Sequence, residues 1–294
     1  MWSSEIELVP ESQSEVNLPT EDKLTFDPPR LRAVLADFGP LPQGTAFIGQ
    51  TQLGQPLLFD LKDSTSGAIL ILGDPGCGKT SLLLTILESA HRLNRPDQIS
   101  FTIIADQPYL FRELERATVS LEISRPYQVE ARDRLRKLAL LIEQRECGRL
   151  CGPIILFAVD GLPGLLDSLD DVSCYHLIKI IKAGPQVGVR PILTMPTPTL
   201  TAPSSTLSPI LGNGFSQTQT APPDLRTTCL SQWVVNEDIS SNPFGTVIFG
   251  AMADLLVAKM LVGDDYSKIY SLSAGFEFYA RNRGRMLRFI AASP

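Results

Sequence analysis

Eight consecutive residues, Gly73, Asp74, Pro75, Gly76, Cys77, Gly78, Lys79 and Thr80, fill every fixed position of the pattern G-x-x-x-x-G-K-[ST]. The residue types suit phosphate chemistry. Glycines let the backbone curl until successive N–H groups converge on a phosphate. A helix starting at the end of the loop adds the partial positive charge of its N-terminus. Lys79 would neutralise β- and γ-phosphate oxygens, and the Thr80 hydroxyl would ligate Mg²⁺. The set expected to contact nucleotide runs from Gly73 through Asp74, Pro75, Gly76, Cys77, Gly78, Lys79 and Thr80 to Ser81. A chance match by a Gly-rich turn is the competing reading, and the flanking apolar run at 67–72 and the helical pattern at 81–90 weigh against it.

Phosphate binding is half of a hydrolytic site; the other half is an acid that orients the metal and a group that handles water. Asp160 ends the apolar run 153–159 and would emerge at the carboxyl edge of a sheet, where α/β proteins place ligands. Its expected role is to hold Mg²⁺ through water, against the plainer reading of an Asp that opens a turn with Gly161. Many P-loop hydrolases follow this Asp with a Glu that polarises the attacking water, whereas Gly161 has no side chain to accept a proton. Glu143, Asp167, Asp170 and Asp171 are near in sequence, but none has a spacing that makes it a convincing substitute. ATP with Mg²⁺ is therefore the expected ligand, with weak basal turnover.

The elements that must position these residues alternate. A short helix is expected over 30–38, strands over 46–49 and 56–61 as a hairpin, core strands over 67–72, 99–106, 153–160 and 191–194, and helices over 109–116, 127–145 and 172–182. Further along come a strand over 227–235, a helix over 250–262 and a closing hairpin, 275–280 with 286–290. Strand and helix alternation predicts a mostly parallel sheet wrapped by helices. Residues 196–223 are rich in Pro, Ser, Thr and Gly and read as a long loop.

The chain of 294 residues is 44% hydrophobic, enough for a sizeable core. Its net charge is −6, yet residues 1–27 carry seven acids against Lys23 alone, so the acidity belongs to a polar, flexible N-terminal tail and the remainder is neutral. No apolar run reaches the roughly 18 residues that a membrane span needs, and the N-terminus does not read as a secretory signal. Cys77, Cys147, Cys151, Cys174 and Cys229 show no disulfide-scaffold spacing, which suits a reducing cytoplasm.

In its order of elements the chain resembles the FtsK–HerA superfamily of P-loop ATPases. The resemblance spans about 45–290 and rests on the phosphate loop, Asp160, the 48–61 hairpin before the loop, the charged helix before the Asp160 strand, residues 183–189 leading into the next strand, and the ending from Ser273 to Phe278 with Arg288 and Phe289. It implies an α/β, RecA-like core over 30–294 behind a tail over 1–29, with an N-terminal β-hairpin and a C-terminal antiparallel hairpin. It further implies a homo-oligomeric ring, often a hexamer, with ATP between subunits and a pore that grips DNA or another polymer. Thr194, beside Met195 and Pro196, stands where the family commonly has a polar sensor, and its hydroxyl is assigned that catalytic role with Lys79 and Asp160. Arg190 and Arg226 are candidates for a trans-acting arginine, against ordinary surface arginines. Three readings stay open: a ring motor moving DNA or protein, a degenerate ATPase that regulates or scaffolds a partner, and a small-molecule kinase.

Two further groups carry weaker chemistry. Cys147, Cys151, Cys174 and His176 are valid zinc ligands in unusual spacing, against structural cysteines. Arg281, Arg283, Arg285 and Arg288 form the strongest basic cluster, suited to phosphate contact or to a solvated hairpin.

Overall fold

The computed structural model describes residues 28–118, 121–197, 243–282 and 284–294. The strands are β1 (Thr45–Thr51), β2 (Pro56–Asp60), β3 (Ala68–Gly73), β4 (Ile99–Ala105), β5 (Leu121–Ser124), β6 (Ile154–Asp160), β7 (Val189–Pro196), β8 (Phe244–Phe249), β9 (Glu277–Asn282) and β10 (Arg285–Ile290). The helices are α1 (Leu31–Phe38), α2 (Lys79–Leu93), α3 (Arg112–Ala117), α4 (Val129–Glu146), α5 (Leu162–Ser168), α6 (Asp171–Ala183), α7 (Leu255–Val262) and α8 (Tyr266–Tyr270).

All ten strands join one sheet in the order β2-β1-β10-β9-β8-β3-β7-β6-β4-β5. From β8 to β5 every neighbouring pair is parallel, and from β2 to β8 every pair is antiparallel. The central parallel strands β3 and β6 are almost wholly apolar because helices cover both their faces. On β3, Leu70 and Leu72 face one layer while Ile69 and Ile71 face the other, and on β6 Phe157 and Val159 alternate with Leu156 and Ala158 in the same way. The first layer contains α4, α6 and α7, through Leu135, Ile142, Leu177, Ile181 and Leu261; the second contains α2, through Leu82, Leu83, Ile86 and Ala90. Phe157 lies in the first layer and is wholly buried. Phe157→Ala is expected to cost about 3–5 kcal/mol, read as a lower urea midpoint at unchanged m.

Both expected hairpins form. β1 and β2 pair through Thr45↔Asp60, and β9 and β10 pair through Asn282↔Arg285 around Gly284, whose φ of 78° suits a residue without a side chain. They also meet each other, β1 against β10, so the two ends of the sequence close one side of the sheet. The N–H of Leu31 donates to Ser293 O at 2.7 Å and that of Ser293 to Pro29 O at 2.9 Å, tying the start of the described chain to its end.

Several boundaries differ from expectation. The helix expected over 250–262 begins only at Leu255, because the Asp254 side chain caps it by accepting from the N–H groups of Leu256 and Val257. Strand β8 carries no expectation from sequence, although its run FGTVIF is largely buried. Strand β5 is a four-residue, mostly half-exposed sheet edge with a weak pattern. Of the expected tail over 1–29, residues 1–27 lie outside the described residues, as do 198–223 of the loop expected over 196–223 and the strand over 227–235, while Pro196 ends β7.

Candidate functional site

The loop between β3 and α2 is built by glycines at positions where a side chain has no room or no suitable backbone angle. Gly78 has φ 93° and caps α2, and a Cβ there would lie 2.3 Å from the carbonyl oxygen of Gly275. The loop thus leans on the segment before β9, and the Gly275 N–H donates to Cys77 O at 3.2 Å. Gly73 is equally confined: a Cβ would meet Cys77 Sγ at 2.5 Å. Pro75 and Gly76 are exposed at the tip, while Cys77 is buried beneath it. Burial pushes the Cys77 thiol up, against the lowering influence of Lys79, so it stays a protonated packing group.

Lys79 opens α2, and its ammonium donates to the carbonyl oxygens of Gly73 (2.9 Å) and Asp74 (2.8 Å), which holds the cation along the loop. Thr80 and Ser81 follow in the first helical turn, whose N–H groups have no intrahelical partner. The Asp74 carboxylate engages the segments that leave the neighbouring strands: it accepts from the Thr197 hydroxyl and from the Ala253 N–H, the latter at 2.6 Å. The phosphate loop is thereby braced from both sides of β3, by the ends of β7 and β8.

Asp160 and the loop are not on adjacent strands, since β7 lies between β3 and β6. The gap is bridged by two hydroxyls. Thr80 Oγ1 donates to both carboxylate oxygens of Asp160 at 3.0 Å, and Thr194 Oγ1 donates to Oδ1 at 2.8 Å. Thr194 also accepts the Gly161 N–H at 2.9 Å, so this buried hydroxyl fixes both the carboxylate and the turn after it. Burial raises the Asp160 pKa; the Thr194 and Thr80 hydrogen bonds lower it, Asp106 raises it and Lys79 lowers it, and the net direction is upward. A half-buried carboxylate beside a hydroxyl is a hard oxygen pair that fits Mg²⁺, and a dication there would offset the desolvation of Asp160. Thr80, Asp160 and Thr194 are thus joined by hydrogen bonds at the carboxyl edge of the sheet, with Lys79 adjacent to Thr80 in the first turn of α2.

Other expectations do not converge. Glu143 on α4 accepts from Lys179 on α6 at 2.6 Å, and Asp170 caps α6 through the Ser173 N–H; both are engaged away from the loop. Met195 packs against the apolar layer beside α4 and α6. Arg190 is not a surface arginine. It is buried in β7 and donates from Nε to Leu61 O at 2.7 Å, out of reach of another subunit. Arg226 and Arg283 lie outside the described residues. Of the basic cluster, Arg288 donates from Nη2 to both Glu277 oxygens at 2.8 Å, and Arg281 stands over the Phe249 ring. Among the described residues no group of three His, Cys, Asp or Glu side chains could hold a metal ion; Cys147 and Cys151 are exposed and Cys174 is buried.

One acid at the site carries no role in the sequence reading. Asp106 follows β4, which pairs with β6 so that Ala105 stands opposite Asp160. Its carboxylate lies beside Gly161, 3.0 Å from where a Cβ on that glycine would be. The available signal was an acid ending an apolar parallel strand, the same signal that selected Asp160.

Residues 40–149 match the model of the FtsK/SpoIIIE family. No curated protein matches the sequence. Among solved structures, the fold is similar to the cytoplasmic domain of the Type VII secretion ATPase EccC of Thermomonospora curvata, at 18% identity and a TM-score of 0.59 over 86% of this chain and 29% of that one. It is similar to ATPases 2 and 3 of Thermomonospora curvata EccC in complex with a signal sequence peptide, at 15% identity and a TM-score of 0.61 over 92% of this chain and 48% of that one. It is also similar to the pCW3 conjugation coupling protein TcpA, in a monomer form with ATPγS, at 16% identity and a TM-score of 0.59 over 91% of this chain and 70% of that one. The chain thus spans less than half the length of the two EccC structures and about two thirds of TcpA.

Proposed function

From a chain with an FtsK/SpoIIIE-type segment over residues 40–149 and the fold of the FtsK–HerA P-loop ATPases, we propose a Mg-ATP-binding motor-type ATPase. It would act as a homo-oligomeric ring and couple nucleotide turnover to movement of DNA or protein. The observation that carries this reading is the Thr80–Asp160–Thr194 hydroxyl–carboxylate cluster beside a complete phosphate loop. Residues 30–294 form the ATPase domain and 1–29 its acidic tail, in a protein of the cytoplasm. No helix among the described residues is long and apolar enough to cross a membrane.

In this reading the loop N–H groups and the first turn of α2 hold the β-phosphate, and Lys79 turns from the loop carbonyls to the β- and γ-oxygens. Thr80 and Asp160 would hold Mg²⁺, which neutralises charge developing on the phosphoryl oxygens. Thr194 keeps Asp160 oriented and ties it to the turn at Gly161. A polymer substrate is supported by the similarity of the fold to a secretion ATPase in complex with a signal sequence peptide and to a conjugation coupling protein.

A second reading, a degenerate ATPase that regulates or scaffolds a partner, is favoured by Gly161 and Met195. ATP turnover with and without DNA or unfolded polypeptide, on protein sized by light scattering, separates the two. The motor reading expects nucleotide-dependent assembly and turnover stimulated by one of the polymers. Tight ATP binding by a monomer that neither polymer stimulates would establish the regulatory reading instead.

A further inference from the structure

We propose that Asp106 supplies, from the neighbouring strand, the water-handling carboxylate that position 161 lacks. This rests on the ATPase reading above and names the residue that completes its hydrolytic half.

Strands β4 and β6 run parallel in register, with Ala105 opposite Asp160, so Asp106 and Gly161 leave the sheet side by side at its carboxyl edge. An ideal Cβ on Gly161 would lie 3.0 Å from Asp106 Oδ2 and 3.7 Å from Cγ, and one on Gly164 would lie 3.5 Å from both oxygens. A side chain at 161 and the carboxylate at 106 therefore compete for one place next to Asp160. Gly161 leaves that place to Asp106, and its φ of 93° is a backbone angle that side chains seldom adopt.

The division of labour among the acids points the same way. The Asp160 carboxylate is already held by the Thr80 and Thr194 hydroxyls, which suits a metal-orienting acid and leaves it poorly placed to take a proton from water. Asp106 is exposed, makes no hydrogen bond or ion pair among the described residues, and has its carboxylate next to Gly161. Glu143 and Asp170 have partners elsewhere. In the step itself, the water oxygen bonds to the γ-phosphorus and the bond from that phosphorus to the β,γ-bridging oxygen breaks. The bridging oxygen keeps the electron pair and leaves with ADP, while the water proton passes to the Asp106 carboxylate and then to solvent.

The test uses the full chain and three proteins: wild type, Asp106→Asn and, as a control acid outside the shared volume, Asp167→Asn. Each is measured for steady-state ATP turnover, for affinity towards a fluorescent ATP analogue with and without Mg²⁺, and for thermal melting. Asp106→Asn is expected to lower kcat about 100-fold or more. Its nucleotide affinity, the Mg²⁺ dependence of that affinity and its melting temperature should stay at wild-type values, and Asp167→Asn should match wild type throughout. Unchanged kcat in Asp106→Asn overturns the proposal, and so does a parallel loss of kcat, affinity and melting temperature, which would mark a structural role. Wild type that binds ATP but never turns it over overturns the Asp106 role and leaves nucleotide binding standing; wild type that binds no ATP overturns the reading on which both rest.

Discussion

Lys79→Ala leaves the chain folded and weakens ATP binding by about 100-fold or more, the equivalent of roughly 3 kcal/mol for a lost charge-assisted contact. The size follows from the geometry. The ammonium is held by the carbonyl oxygens of Gly73 and Asp74, within the curl of the loop, so its charge is poised where β- and γ-phosphates would lie. The fold should survive because Lys79 packs no core: the residues of α2 that bury against the sheet are Leu82, Leu83, Ile86, Leu87 and Ala90. Titration with a fluorescent nucleotide, beside a thermal melt, decides the matter. Wild-type affinity in the mutant would remove Lys79 from the site, while a collapsed melting temperature would show that the loop is a structural element first.

Asp160→Asn is expected to separate activity from stability. ATP turnover should fall on the order of 100- to 1000-fold and the Mg²⁺ dependence of nucleotide binding should disappear, because the neutral amide offers no anionic oxygen to a dication. Stability should hold or rise. The folded-state pKa of Asp160 is raised, with burial the largest cause, so ionising it costs the folded state free energy. That cost appears as pH rises from the unfolded carboxyl's pKa through the raised folded one. An uncharged isostere removes it, and melting at pH 7 should show an equal or higher Tm. A mutant that loses stability at pH 7 while keeping Mg²⁺-dependent binding would contradict both halves of the assignment.

Asp106 changes how Gly161 is understood. Read along the chain, a glycine after the metal-orienting acid looks like a loss of hydrolytic chemistry. In three dimensions the same glycine makes room for a carboxylate that arrives from β4. The acids weighed from sequence were neighbours of Asp160 along the chain, and the structure engages Glu143 and Asp170 in a helix–helix ion pair and a helix cap. Arg190 teaches the complementary lesson. An arginine is seldom fully buried and reads as a surface group, yet the β7 register turns it into the interior, where Leu61 O receives its Nε–H.

The sequence by itself determined the phosphate loop, the strand that carries Asp160, the hairpins at the two ends and the α/β class. These are local: glycines at fixed spacing, apolar runs and turn residues act within about ten residues of one another, so their pattern is legible along the chain. The strand order was decided only by tertiary structure. That order sets β7 between the loop and Asp160, which puts the Thr194 hydroxyl between them, and sets β4 on the far side of β6, which puts Asp106 beside Gly161. The physical reason is that parallel strands pair across long crossovers, and which strand neighbours which is settled by the burial of both sheet faces under α2, α4, α6 and α7 rather than by any residue's own neighbours in sequence.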